Sequence, residues 1–124
     1  MNIKQAVVVR KDLQMSPGLL AAQVAHISAQ HLITQIESVA REQSGPEKLW
    51  NRTPKLVVLG VNTLEELREV ETKVIALHLP FYGWFDTIPS QIFVKRFFFV
   101  PVGISIGPAD EESLKLATAE LPLL

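Results

Sequence analysis

Ala6-Val7-Val8-Val9 is an unbroken, mostly β-branched run that gives way at once to Arg10-Lys11-Asp12. A strand that is apolar at every position, rather than at alternate ones, is buried on both faces. The run therefore belongs in the middle of a sheet, ends near Arg10 and opens into a charged loop. Ser16-Pro17 then predicts the start of a helix. The serine hydroxyl caps free backbone amides, and the fixed φ of proline suits the first helical position.

Downstream, Leu20, Val24, Ile27, Leu32, Ile36 and Val39 keep a roughly helical spacing, and Gly45-Pro46 ends the segment. The small residues Ala21, Ala22 and Ala25 are expected to let this long helix lie close to the sheet. Lys55 to Val61 reads as a second buried strand. Thr63-Leu64-Glu65-Glu66 has capping-box spacing, in which the two side chains reciprocally satisfy amides of the first turn. Leu64, Leu67, Val70, Val74 and Leu77 form the apolar stripe of the helix that follows, which ends before Pro80. Phe81 to Asp86 is expected to be a third strand and Phe97 to Ile106 a fourth, and Pro108-Ala109-Asp110 to open a closing helix that runs to about Glu120.

Strand–helix–strand–helix–strand order makes the first three strands parallel, and the shorter return before the fourth makes the last pair antiparallel. The fold class is thus α/β: a three-layer α/β/α arrangement around a mixed sheet of about four strands, three parallel and the last antiparallel. With 124 residues, 48% of them hydrophobic and 20% charged, residues 1–124 are expected to form one domain. No repeat, linker or low-complexity tract interrupts them.

The chain has no cysteine, which removes disulfides, thiolate nucleophiles and cysteine-based metal sites. Met1-Asn2-Ile3-Lys4-Gln5 leads straight into the first strand with neither a signal-peptide core nor a lipidation motif. No apolar run reaches the roughly 18 residues of a membrane span, since Pro101 and Gly103 cut the Phe97 to Ile106 stretch. A soluble, cytoplasmic, metal-free protein is expected. Residues 1–62 carry seven Lys/Arg against four Asp/Glu, and residues 63–124 five against nine. That asymmetry permits a basic patch but is far weaker than the field of a dedicated nucleic-acid binder.

Three blocks resemble the type II peptidyl-tRNA hydrolases of archaea and eukaryotes. The most specific is Val7-Val8-Val9-Arg10-Lys11-Asp12-Leu13, Met15-Ser16 and Gly18, followed by Ala21-Ala22-Gln23-Val24-Ala25-His26. Asp86, Ser90, Gln91 and Ile92 are similar to the family's Asp-Ala-Gly-x-Thr-Gln-Ile segment, and Gly103-Ile104-Ser105-Ile106-Gly107-Pro108 to its last strand and Gly-Pro turn. The likeness covers nearly the whole chain.

The resemblance implies hydrolysis of the ester between a peptide and the terminal ribose of tRNA, without a cofactor. Such chemistry needs a positioned water, a group to take its proton, and donors for the developing oxyanion. Carried over by position, the catalytic set is Gln23, Asp86 and Ser90, the serine standing where the family has threonine. The family's first-helix lysine position, directly after Gly18, holds Leu19, which can neither pair with a carboxylate nor stabilise an anion. Thr87-Ile88 replaces the Ala-Gly after the aspartate, and Phe93 to Phe99 makes a longer connection. Lys95, Arg96 and Lys11 are candidates for a relocated cation, and Arg10, Lys11, His26, Gln91, Lys95 and Arg96 for substrate contact.

Each position also has a structural reading. Asp86 suits a turn before Pro89, Gln23 a helix residue bonded to a neighbouring loop, and His26 a buried residue fixing helix to sheet. His31 and His78 lack ligand spacing and read as surface or packing residues. Arg10-Lys11-Asp12 fits a solvated charged turn as well as a phosphate contact. In Phe97-Phe98-Phe99, strand alternation sends at least one ring to the core and leaves others for stacking or for an exposed patch. Three functions follow: a peptidyl-tRNA hydrolase with a relocated cation, a non-catalytic binding or regulatory relative, and an acyl or amide hydrolase of small molecules. Family likeness and the apolar fourth strand point to a homodimer.

Overall fold

The computed structural model describes residues 3–42, 55–90 and 96–124. Its elements in chain order are β1 (Ile3–Arg10), α1 (Pro17–Glu42), β2 (Lys55–Val61), α2 (Leu64–Ala76), β3 (Phe81–Ser90), β4 (Arg96–Asp110) and α3 (Glu111–Thr118). The strands form one sheet in the order β2-β1-β4-β3. β1 pairs in parallel with β2 and antiparallel with β4, which pairs antiparallel with β3. The first three strands therefore point the same way and the fourth runs against them, as the order of elements predicted; the structure places the fourth between β1 and β3.

The β-branched run explains the layering. Val7 and Val9 face α1, where they pack with Ile27, Ile88 and Val102. Ala6 and Val8 face the opposite layer, where Leu67, Val70, Val74, Leu114 and Ala117 of α2 and α3 close over Ile104 and Ile106. All four β1 residues are buried, so alternation sends each pair to a separate core. α2 begins as its capping box predicts, with Glu66 N–H donating to Thr63 Oγ1 over 3.1 Å. The Glu66 carboxylate reaches back one residue further than expected, to the N–H of Asn62. Leu67, Val70 and Val74 of the predicted stripe are buried, whereas Leu77, the C-cap, stands outside it.

Three expectations are corrected. Ala21, Ala22 and Ala25 are exposed. The stripe of α1 that meets the sheet passes instead through Gln23, Ile27, His31 and Gln35, all buried. Close approach is supplied from the sheet, where a Cβ on Gly103 would lie 2.5 Å from the Val8 carbonyl oxygen and 3.1 Å from Ile27 Cδ1. Next, Pro108 and Ala109 do not open a helix: β4 continues through them, and Asp110 caps α3 by accepting from Ser113 N–H. Ile3 and Lys4 pair with Asp110 and Ala109, so neighbouring strand extends β4 where local turn chemistry suggested a stop. The hydroxyl and then the N–H of Ser113 hold the Asp110 carboxyl below the usual carboxylate range. Finally, β3 extends past Asp86 to Ser90, accommodating Pro89 because β3 is an edge strand. Gly45-Pro46, expected to end the first helix, lies outside the described residues. Among the described residues no helix is long and apolar enough to cross a membrane.

Candidate active site

A polar and aromatic seam joins α1 to β3. Alternation on β3 turns Tyr82, Trp84 and Asp86 toward α1, and α1 meets them with Gln23, His26 and His31. Gln23 is only 4% exposed, and both ends of its carboxamide are occupied. Nε2 donates to Asp86 Oδ2 over 3.0 Å, and Oε1 accepts from the Trp84 indole N–H over 2.8 Å. The second Asp86 oxygen accepts from the backbone N–H of Thr87 over 2.7 Å. Asp86 is half-buried. Each carboxylate oxygen retains acceptor capacity for a water hydrogen.

His26 is exposed, and its ring lies parallel to Trp84, with centroids 5.8 Å apart. The buried hydrogen-bonding histidine of this helix is His31, further along it. His31 Nδ1 lies 2.7 Å from Ser105 Oγ, which also accepts from Gln5 Nε2. Gln35 Nε2 donates to the carbonyl of Gly107, which fixes that amide's orientation. His31 Nε2, 3.0 Å from the same nitrogen, is therefore the acceptor, and the ring proton sits on Nδ1. Burial pushes the His31 imidazole down to about 4, so it is neutral at neutral pH. A polar helix face gives little hydrophobic periodicity, and this is why the network escaped sequence reading; the signal present was the i, i+4 spacing of Gln23, Ile27, His31 and Gln35.

The cationic candidates separate. Arg10 is turned inward: Nε and Nη2 make a two-pronged bond with Asp12, at 2.9 and 2.8 Å, and Nη1 donates to the Pro101 carbonyl. Its guanidinium ties the end of β1 to β4. Lys11 is exposed. Leu19 packs beside the core of Val7, Val9 and Ile27 rather than reaching into solvent. Among the described residues, no Lys or Arg nitrogen comes within 4.0 Å of the Asp86 carboxylate. Ser90 and Arg96 pair across the β3–β4 ladder, and only their backbone is described. Gln91 and Lys95 lie outside the described residues.

On the other sheet face, Phe85 stacks on Phe99 at 5.9 Å, and both rings are more than half exposed. His78 is exposed just beyond α2. Among the described residues no three His, Asp or Glu side chains gather to hold a metal.

The family model described as "Peptidyl-tRNA hydrolase PTH2" matches residues 3–124. A peptidyl-tRNA hydrolase of Methanothermobacter thermautotrophicus is 32% identical over 127 aligned residues, covering 98% of this chain and all of the relative. Those of Methanopyrus kandleri and Aeropyrum pernix are 35% and 34% identical. The alignments cover 98% and 97% of this chain, and 97% and 94% of those relatives. The β1–loop–α1 signature, the Asp86 segment and the Gly-Pro end of β4 thus sit in a likeness that runs the length of the fold, and the chain belongs to the peptidyl-tRNA hydrolase PTH2 family.

Proposed function

We propose that this chain hydrolyses the ester joining a peptide to the terminal ribose of tRNA, as a single cytoplasmic domain that forms a homodimer. The observation that carries the reading is the 3.0 Å bond from Gln23 to Asp86, which holds a half-buried carboxylate at the helix–strand seam. Asp86 accepts a proton from water as the water oxygen bonds to the acyl carbon. The bond from that carbon to the ribose oxygen breaks, and the ribose oxygen takes up the proton. Gln23 orients the carboxylate, and the Ser90 hydroxyl serves as donor to the oxyanion. Exposed Lys11 and His26, with Gln91, Lys95 and Arg96, contact the substrate, whereas Arg10, bonded to Asp12 and Pro101, holds the end of β1 in place beside it. Among the described residues no Lys or Arg pairs with Asp86, and the candidate cations are few, so tRNA affinity falls with salt at a slope of only a few phosphates. Family membership supports the substrate class, and the exposed Phe85–Phe99 pair supports the dimer.

The test is turnover of N-blocked aminoacyl-tRNA by the purified protein, read as release of the blocked amino acid. Turnover abolished by Asp86→Asn carries the reading. A second reading, a binding relative that keeps the scaffold without the reaction, draws on Leu19 packing against the core where the family has a lysine. No turnover by the parent, together with turnover by Leu19→Lys, selects that second reading. Cleavage of small N-acyl esters but not of the tRNA ester selects a small-molecule hydrolase.

A further inference from the structure

We propose that Trp84 is a positioning residue of this site: its indole N–H locks the Gln23 carboxamide so that only an N–H can face Asp86. An indole nitrogen donates and never accepts. The Gln23 oxygen, 2.8 Å from Trp84 Nε1, is therefore committed to the tryptophan, and the amide nitrogen is committed to Asp86 Oδ2. Asp86 alone fixes this orientation only while it is ionised. Once the carboxylate takes a proton it becomes a donor as well, and a free amide would be able to turn its oxygen toward it. Trp84 forbids that turn throughout the cycle. The lock is itself well supported. Trp84 is stacked on His26, which shares α1 with Gln23, packs against the core of Val7, Val9 and Ile27, and lies opposite Gly103 on β4. Gln23 is buried, so an amide released by Trp84 would have to find another donor or remain unsatisfied.

The inference deepens the hydrolase reading and rests on it for its kinetic arm. Trp84→Phe keeps a ring against His26 and removes the donor. The expected result is a fall in kcat of roughly fivefold to tenfold with KM unchanged and the melting temperature within a few degrees. An unchanged kcat would overturn the proposal. A second arm needs no turnover: in 1H–15N spectra, Gln23→Leu, which removes the acceptor at similar volume, should shift the Trp84 indole signal and speed its exchange with solvent. An indole signal that does not respond overturns the lock. If the parent turns over no substrate, the hydrolase reading fails while this second arm still decides the geometry.

Discussion

The Gln23 amide and the Asp86 carboxylate meet at 3.0 Å although 63 positions separate them in the chain. α1 brings the glutamine to the sheet and the edge strand β3 brings the acid, so the site depends on how one helix lies across one strand. Disturbing either partner should change chemistry before it changes the fold.

Asp86→Asn replaces an ionised acceptor with an amide while leaving its volume unchanged. Turnover of N-blocked aminoacyl-tRNA should fall by about two to three orders of magnitude, since general base catalysis contributes about that much. Circular dichroism and melting temperature should stay near those of the parent, because Asp86 is half-buried and outside both hydrophobic cores. A variant with undiminished kcat would remove Asp86 from the mechanism.

Leu19→Lys trades part of the packing against Val7, Val9 and Ile27 for a charge at the start of α1. The long stem snorkels, so the stability cost should be about 1 kcal/mol in a urea unfolding series. Turnover should rise at least about tenfold through stabilisation of developing negative charge. A fall in turnover would show that the leucine is the better residue in this setting.

His31 makes stability depend on pH. Its folded pKa, lowered to about 4 by burial, lies below the ordinary imidazole value of 6.5, so the unfolded chain binds the proton first as pH falls. Stability is fully present above pH 6.5 and declines between 6.5 and about 4, by about 3 kcal/mol in all, and this contribution stays flat below that window. Urea midpoints measured across the window should follow this slope, and His31→Gln should flatten it. An identical slope in the variant would assign the pH dependence to other groups.

Gly103→Ala should destabilise by about 3 kcal/mol, because the new methyl would meet the Val8 backbone oxygen at 2.5 Å and neither central strand can retreat without breaking its ladder. The same substitution at Gly18, where an added Cβ meets nothing within 4 Å, should be neutral or mildly stabilising through helix propensity. Thermal melts of the two variants check the contrast.

Much of the architecture was readable locally. β1 was legible because a strand buried on both faces is written as a continuous apolar run, and α2 because its cap and stripe lie within a few residues of one another. β2 carries a similar run, but as an edge strand it leaves Lys55 and Leu56 exposed, which corrects the burial expected of it. α1 was only half legible. Its length was evident, but its sheet-facing side carries Gln23, His31 and Gln35, and small size assigned alanines to a contact they do not make. The candidate residues Gln23 and Asp86 were found through family likeness, since a glutamine in a helix and an aspartate at a strand end have no intrinsic signal of proximity.

The amino-acid order alone determined the element types, the relative directions of the strands and the family signature, because each depends on short-range patterning or on connection length. Tertiary structure decided that Trp84 shares Gln23 with Asp86, that Arg10 is spent on Asp12 and Pro101, that His31 is neutral, and that β4 runs on to Asp110. Each is a contact between segments distant in the chain. Hydrogen bonding and burial there depend on which faces the packing brings together, and local preference has no means of encoding that.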